Sequence, residues 1–295
     1  MKLLTMRKST GYALGVKTDR GVLDVAAAAA KYGVEAPSTV EAVIAAGEAG
    51  KKAVAELAQR ALAEGQAGGL FTPEAEVVFG PCVTQPEKIL CVGTNYRKHA
   101  IESNMPIPTY PVLFSKFNNT LAGHNQAVKL PAAEQIDYEV ELVIVMGREA
   151  KDVAKEDALS YVFGYATGND LSARDLQFRT GQWLLGKTLD GFAPVGPYLV
   201  TADEVPNPNA LRLELRLNGE VRQSSNTADM IFDCAELIHY ASRYMTLKPG
   251  DLIFTGTPEG VILGYPEDKR VWLKAGDEMV ASVEGLGELR TVLVG

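Results

Sequence analysis

The chain has 295 residues, 46% hydrophobic and 22% charged, which is enough apolar material for a core without disulfides or structural metals. A net charge of −8 argues against a nucleic-acid or anionic-membrane surface, which needs basic patches, and leaves small anionic substrates open. Three widely spaced cysteines with no CxxC, an N-terminus (MKLLTMRKST) too poor in apolar residues for a signal-peptide core, and no apolar run of about 18 residues predict a soluble protein of a reducing, cytoplasmic compartment.

Residues 1–36 read as short strands and turns leading into the alanine run 26–30, which starts a helix closed by Gly33 and Pro37. Ser38 and Glu41 have the spacing of a capping box, ahead of a helix over 39–64 broken near Gly47 and Gly50 and ended by GQAGG at 65–69. Pro73, Pro81 and Pro86 mark a linker, and the domain boundary is placed at residue 84, between an N-terminal α+β unit (1–84) and a second unit (85–295). In the second unit strands are predicted at 88–92, 112–116, 126–130, 138–146, 161–167, 195–200, 211–217, 251–254 and 278–283. Asn218-Gly219 is a hairpin turn between LRLELRL and EVRQS. Helices are predicted at 155–160, 171–178 and 229–244, giving a β-rich α+β class with no internal repeat.

IDYEVELVIVMG (136–147) poses the main chemical question. Its second half is a core strand, yet Asp137, Glu139 and Glu141 recur at two-residue spacing and so share one strand face. The plainer reading is an edge strand with a solvated acidic face. Against it, Glu141 adjoins the continuously apolar run, where an unpaired carboxylate costs several kcal/mol. A hard divalent cation, Mg²⁺ or Mn²⁺, bound through Glu139 and Glu141 resolves that conflict. Asp137, at the start of the strand, reads as a supporting or solvated residue. Asp170, at the strand-to-helix turn of YVFGYATGNDLSARDLQ, is either a third ligand or the N-cap of the following helix. Arg174 and Gln177, at i+4 and i+7 from Asp170, would share its helix face and suit the carboxylate and carbonyl of an α-keto acid.

Histidines number only three, which disfavours a His-rich zinc site. His99 and Glu102 in GTNYRKHAIESN are one helical turn apart, the arrangement of an oriented general base or of a surface ion pair. His124 and His239 carry no functional reading. Lys187 lies in an apolar surround, WLLGKTLDGFAPVGP, and needs an acidic partner or a substrate oxygen. Thr255 and Thr257 occupy a Gly/Pro loop, FTGTPEGV, able to bind a carboxylate or simply to turn.

Taken in order, VGTNYRKHAIE, the YEVEL strand, GNDLSARDLQ, GKTLDGFAPVGP and LKPGDLIFTGTPEGV resemble the fumarylacetoacetate hydrolase superfamily, in its acylpyruvase and oxaloacetate decarboxylase-like branch. The resemblance covers 85–295 and implies a mixed β-sandwich roll, usually in a homodimer, that holds one Mg²⁺ or Mn²⁺. It implies Glu139, Glu141 and Asp170 as metal ligands, His99 and Glu102 as a dyad on a lid-like segment, and Lys187 as an aid to water activation or charge stabilisation. Arg174, Gln177 and Thr257 would then contact substrate. Thr188 replaces a serine common after the lysine, and GHNQAVKLP departs from the family pattern in the substrate-facing loop. The expected activity is metal-assisted hydrolysis of the C–C bond in an acylpyruvate-type 2,4-diketo acid through an enolate. Oxaloacetate decarboxylation and keto-acid isomerisation or tautomerisation are alternatives in the same site, and a non-catalytic binding protein is the alternative from another class.

Overall fold

A computed structural model describes residues 1–64 and 69–295. The N-terminal segment forms β1 (Lys2–Lys8), β2 (Gly11–Thr18), β3 (Gly21–Asp24), α1 (Val25–Tyr32), α2 (Val40–Ala63) and β4 (Phe71–Thr72). There follow β5 (Ile89–Gly93), α3 (Arg97–Glu102), β6 (Val112–Lys116), β7 (Leu121–Ala122), β8 (Ala127–Lys129), β9 (Ile136–Asp137), β10 (Val140–Met146) and β11 (Val162–Asn169). Next come β12 (Ser172–Ala173), α4 (Arg174–Gln177), α5 (Leu184–Lys187) and β13 (Ala193–Thr201). The chain closes with β14 (Arg212–Leu217), β15 (Glu220–Asn226), α6 (Cys234–Tyr244), β16 (Leu252–Phe254), β17 (Glu278–Val283) and β18 (Gly287–Val294).

The long sheet runs β4-β3-β2-β1-β13-β11-β10-β16-β5-β6, with β7 attached to β13. A second sheet runs β15-β14-β17-β18-β8, built on the Asn218-Gly219 hairpin, and both turn residues take the positive φ that this hairpin needs. The fold is the strand-rich α+β architecture expected of the family. β10 is an inner strand between β11 and β16, not an edge, and all seven of its residues are buried. Leu142, Ile144 and Met146 face a core shared with Leu213, Met279 and Leu289 of the second sheet and with Leu237 of α6. Val143 and Val145 face the opposite core, made with Leu14, Val43 and Leu57 of the N-terminal segment. A strand sealed on both faces reads as a continuous apolar run, and this one does.

Several local expectations shift. The helix over 40–63 is capped by Thr39, whose side chain accepts from the Ala42 amide, not by Ser38. Glu41 is drawn away to accept from the amide and hydroxyl of Thr84, so no capping box closes. Gly47 (φ 57°, ψ −134°) interrupts this helix, whereas Gly50 is buried within it. The expected helix stop at 65–69 falls on 65–68, outside the described residues. Residues 155–161 form a 3₁₀ turn, and α4 and α6 are shorter than predicted, starting at 174 and 234. The terminal strand β18 was not anticipated.

We propose that the segments either side of residue 84 are organisational units that depend on each other. β1 pairs with β13 (Lys2 with Val200, Leu3 with Leu199), and the N-terminal side chains seal one face of β10. Residues 85–295 expressed alone are expected to aggregate or to lose cooperative melting; a soluble fragment with a sharp transition would show that this unit needs no such cover.

Candidate active site

The site forms where β10 begins. Glu139 and Glu141 flank Val140, and both are almost completely buried. Tyr138 and Glu139 break the strand between β9 and β10, so the acidic triplet does not line one uninterrupted strand face. Antiparallel pairing sets Val140 opposite Asn169, which delivers Asp170 to the same place. The Asp170 amide donates to the Glu139 carbonyl at 2.9 Å, and the Asn169 side chain accepts from the Glu139 amide at 2.9 Å. One carboxylate oxygen each from Glu139, Glu141 and Asp170 lies within 4.8 Å of the others.

Asp170 does not cap a helix. α4 starts at Arg174 behind Ala173, which makes no side-chain cap, so Asp170, Arg174 and Gln177 do not share the expected helix face. Arg174 and Gln177 meet across a single turn instead, with Nη1 donating to Oε1 at 2.9 Å. Arg174 uses all three nitrogens inside the protein: Nε donates to Asp137 (2.9 Å) and Nη2 to Glu139 (2.7 Å). Lys187 donates to Glu139 at 2.7 Å and to Asp170 at 2.9 Å. Lys116, which sequence reasoning missed, is buried, ion-paired with Asp170, and donates to the Leu171 carbonyl at 3.1 Å. Its signal was a lysine ending the apolar strand VLFSK.

Asp137 is neither solvated nor idle. It is fully buried and accepts from the amides of Tyr138, Ile262 and Leu263 at 2.8–3.0 Å, as well as from Arg174. It therefore ties the 262–263 turn to the arginine. Thr257 is also buried, with its hydroxyl engaged: it donates to the Val140 carbonyl (3.0 Å) and accepts from Gln223 (2.9 Å). Thr255 likewise donates to the Leu142 carbonyl.

Burial and charge set the protonation states. Burial pushes Glu139 up, but Lys187 and Arg174 beside it outweigh that and hold it at about 2. Burial also raises Glu141, and the negative charges of Asp170 and Glu139 raise it further, to well above the usual carboxylate range. Burial lowers Lys187, yet Asp170 and Glu139 more than restore it, so its pKa lies above normal. Among the described residues four buried carboxylates (Asp137, Glu139, Glu141, Asp170) face three buried cations (Lys116, Arg174, Lys187). Glu141 is the one left over: it has no ion pair and accepts only the Gly256 amide, at 2.7 Å. An all-oxygen donor set with one uncompensated carboxylate fits a hard divalent cation.

Opposite this cluster stands α3. His99 Nδ1 lies 3.0 Å from Glu102 Oε1, and the Glu102 carboxylate also accepts from the Gly260 amide at 3.0–3.1 Å. With Nδ1 bound to Glu102, Nε2 remains as the basic nitrogen. A Cβ at Gly264 would come within 2.6 Å of the Glu102 carboxyl carbon, so a larger residue there would push the carboxylate out of its present position. The cavity enclosed between α3 and the carboxylates, about 30 Å³, is lined by His99, Glu139, Glu141, Arg174, Gln177 and Lys187 together with Trp183 and Thr94. Thr94 holds φ 51°, unusual for a β-branched residue and a mark of a strained wall. His124 and His239 lie elsewhere, bonded to the Arg290 amide and the Val153 carbonyl.

This fold and this cluster define a family enzyme. Residues 88–294 match the family described as fumarylacetoacetate (FAA) hydrolase C-terminal, and the chain belongs to that family. Among its relatives, the oxaloacetate tautomerase FAHD2A of Bos taurus is 47% identical over 218 residues, covering 73% of this chain and 69% of the relative. The oxaloacetate tautomerase Fahd2a of Rattus norvegicus is 44% identical over 217 residues, again 73% of this chain and 69% of the relative. Among solved structures, the maleylpyruvate hydrolase of Sphingobium sp. SYK-6, in complex with manganese(II) ion and pyruvate, superposes with a TM-score of 0.78 at 31% identity, covering 100% of this chain and 99% of that one. The expected cytoplasmic setting is overturned, because the cattle and rat relatives are mitochondrial. Cys82, Cys91 and Cys234 are free and buried and do not select a compartment.

Two outcomes are expected. Glu141→Ala abolishes Mn²⁺ binding measured by titration while leaving the thermal transition in place; retained affinity would remove Glu141 from the donor set. Because Glu141 holds its proton in the metal-free protein, metal binding displaces that proton, and apparent Mn²⁺ affinity rises with pH until Glu141 is ionised beforehand. Calorimetry in buffers of different ionisation enthalpy reads the released proton, and a pH-independent affinity would contradict the assignment.

Proposed function

We propose that the protein catalyses keto–enol proton transfer on a small 2-keto acid of the oxaloacetate type, with Mg²⁺ or Mn²⁺ held by Glu139, Glu141 and Asp170. The observation that carries this reading is the basic nitrogen of His99, oriented by Glu102, facing an oxygen-rich cluster in which one carboxylate has no cationic partner among the described residues. A divalent cation held by these carboxylates would supply Lewis acidity to the substrate's keto group. His99 Nε2 takes a proton from C3 and returns it there in the reverse direction, and Glu102 keeps the ring in the tautomer that can do so. Lys187, held protonated, hydrogen-bonds the C2 oxygen as charge develops there. The proton that completes the enol hydroxyl comes from solvent, and solvent takes the proton that His99 has removed from C3, so the exchange balances. Gln177, whose carbonyl is occupied by Arg174, turns its free amide NH₂ to the substrate. Arg174 and Thr257, with their polar atoms engaged, shape and hold the wall more than they bind.

Proton transfer is preferred over hydrolysis of an acylpyruvate because it asks least of a tight site. The site is narrow, about 30 Å³, and hydrolysis needs room for an attacking water as well as for the substrate. The relatives named as oxaloacetate tautomerases support the same preference. Decarboxylation uses the same head-group binding and differs in its product.

Oxaloacetate with Mn²⁺-loaded protein separates these chemistries. Accelerated decay of enol absorbance without pyruvate is the expected result, stoichiometric pyruvate would establish decarboxylation, and cleavage of acetylpyruvate to acetate would establish hydrolysis. His99→Ala is expected to spare Mn²⁺ binding and to slow proton transfer by about 10²–10⁴-fold; an unchanged rate would dismiss His99 as the base.

A further inference from the structure

Ser103 follows Glu102 at the C-terminal end of α3, where its amide donates to the His99 carbonyl at 3.1 Å. Its side-chain oxygen is buried and has no hydrogen-bond partner among the described residues, although the residue lines the cavity that holds His99 and the carboxylates. A buried hydroxyl left without a partner works against folding, and natural proteins carry few of them. His99 and Ser103 are four residues apart, so the helix sets them on one face about 6 Å apart along its axis. The cavity lining also includes the apolar Met105, Phe114, Phe178 and Leu263. Arg174 is committed to Asp137, Glu139 and Gln177, and two of the Lys187 protons to Glu139 and Asp170, while the remaining Lys187 proton and the Gln177 amide serve the head group as proposed above. Ser103 is the donor left for the rest of the substrate, a helical turn beyond the nitrogen that handles the proton.

We propose that Ser103 is the residue that reads the far end of the substrate, its hydroxyl donating to the C4 carboxylate of a four-carbon 2-keto dicarboxylic acid. The inference rests on the head-group placement proposed above, with C1 and C2 at the Glu139–Glu141–Asp170 cluster. C3 then lies under His99 and C4 extends toward Ser103. The hydroxyl is held in reserve in the empty site and gains its partner on binding, and a bond to an ionised oxygen in a dry cavity is of the stronger kind. Ser103 sets specificity without carrying a proton. It separates dicarboxylic from monocarboxylic keto acids, whose apolar C4 groups would face the hydroxyl unpaired.

Binding of two inert probes to the Mn²⁺-loaded protein tests this, measured by calorimetry. Oxalate presents the chelating head alone, and 2-hydroxysuccinate presents the head and the C4 carboxylate. Ser103→Ala is expected to leave oxalate affinity unchanged and to weaken 2-hydroxysuccinate by about 10–100-fold, whereas Ser103→Thr keeps the wild-type ratio. The metal-free Ser103→Ala protein is expected to melt at or above the wild-type temperature, since an unpartnered hydroxyl has been removed; a serine kept for structure would lower it. Equal weakening of both probes, no weakening of either, or a wild-type protein that binds no 2-hydroxysuccinate overturns the inference. Neither probe is turned over, so the binding ratio is readable whichever reaction the enzyme runs. A wild-type protein that shows the ratio yet turns over no keto acid would count against the proposed reaction and not against Ser103.

Discussion

The structure turns on an imbalance of buried charge. Four carboxylates and three cations occupy one water-poor space at the start of β10, and each pairing there recruits a different part of the chain. Glu139 joins Arg174 to Lys187, Lys187 joins Glu139 to Asp170, and Lys116 holds Asp170 from β6. Breaking any one pair strands a charge that burial cannot tolerate, typically at 3–5 kcal/mol. The cluster is therefore held together by mutual need, and Glu141, the carboxylate left without a cation among the described residues, has its pKa driven up by burial and by Asp170 and Glu139. A protein that needed only stability would do better with apolar residues in these positions. Keeping one carboxylate unpaired makes sense where a cation belongs.

Rigidity around the cluster comes from elements that contribute no charge. β10 is covered on both faces by different cores, so Glu141 projects from, and Glu139 immediately precedes, a strand that has no freedom to slip. Asp137 performs the complementary task at the other end, bonding the 262–263 amides and so fixing the loop that meets α3. α3 is only six residues long, and Glu102 spends one carboxylate on both His99 and the Gly260 amide. The orientation of the base is thereby coupled to the docking of its own segment.

The parts of this arrangement that could be read in the sequence are those governed by local spacing. The apolar run of β10, the Asn218-Gly219 turn, and the one-turn separation of His99 and Glu102 all follow from periodicity, and each reappears in the fold. The charged pairs could be suspected but not assembled, because Glu139 finds its cations 35 and 48 residues away. Lys116 was missed for the same reason: a lysine at a strand end is ordinarily solvated, and only its placement beneath Asp170 makes it part of the cluster. The expected face shared by Asp170, Arg174 and Gln177 failed because the backbone stays extended through Ser172–Ala173 before helix begins. Thr39 displaced Ser38 as a cap because the Ser38 carbonyl is tied to β2 through the Leu14 amide and Glu41 is claimed by Thr84. In each failure a tertiary partner outbid a local preference.

That pattern bears on how such a site is maintained. Its members lie on β6, β9, β10, the end of β11, α4, α5 and α3, joined by pairings separated by tens of residues. Without those pairings the carboxylates repel one another and favour water, so the apolar burial that encloses them has to come from the cores around β10. This division explains why the apolar half of IDYEVELVIVMG is so uniform and its acidic half so exacting. Val140 and Leu142 to Met146 supply the apolar burial on both faces of the strand, and Asp137, Glu139 and Glu141 place their carboxylates where that burial begins.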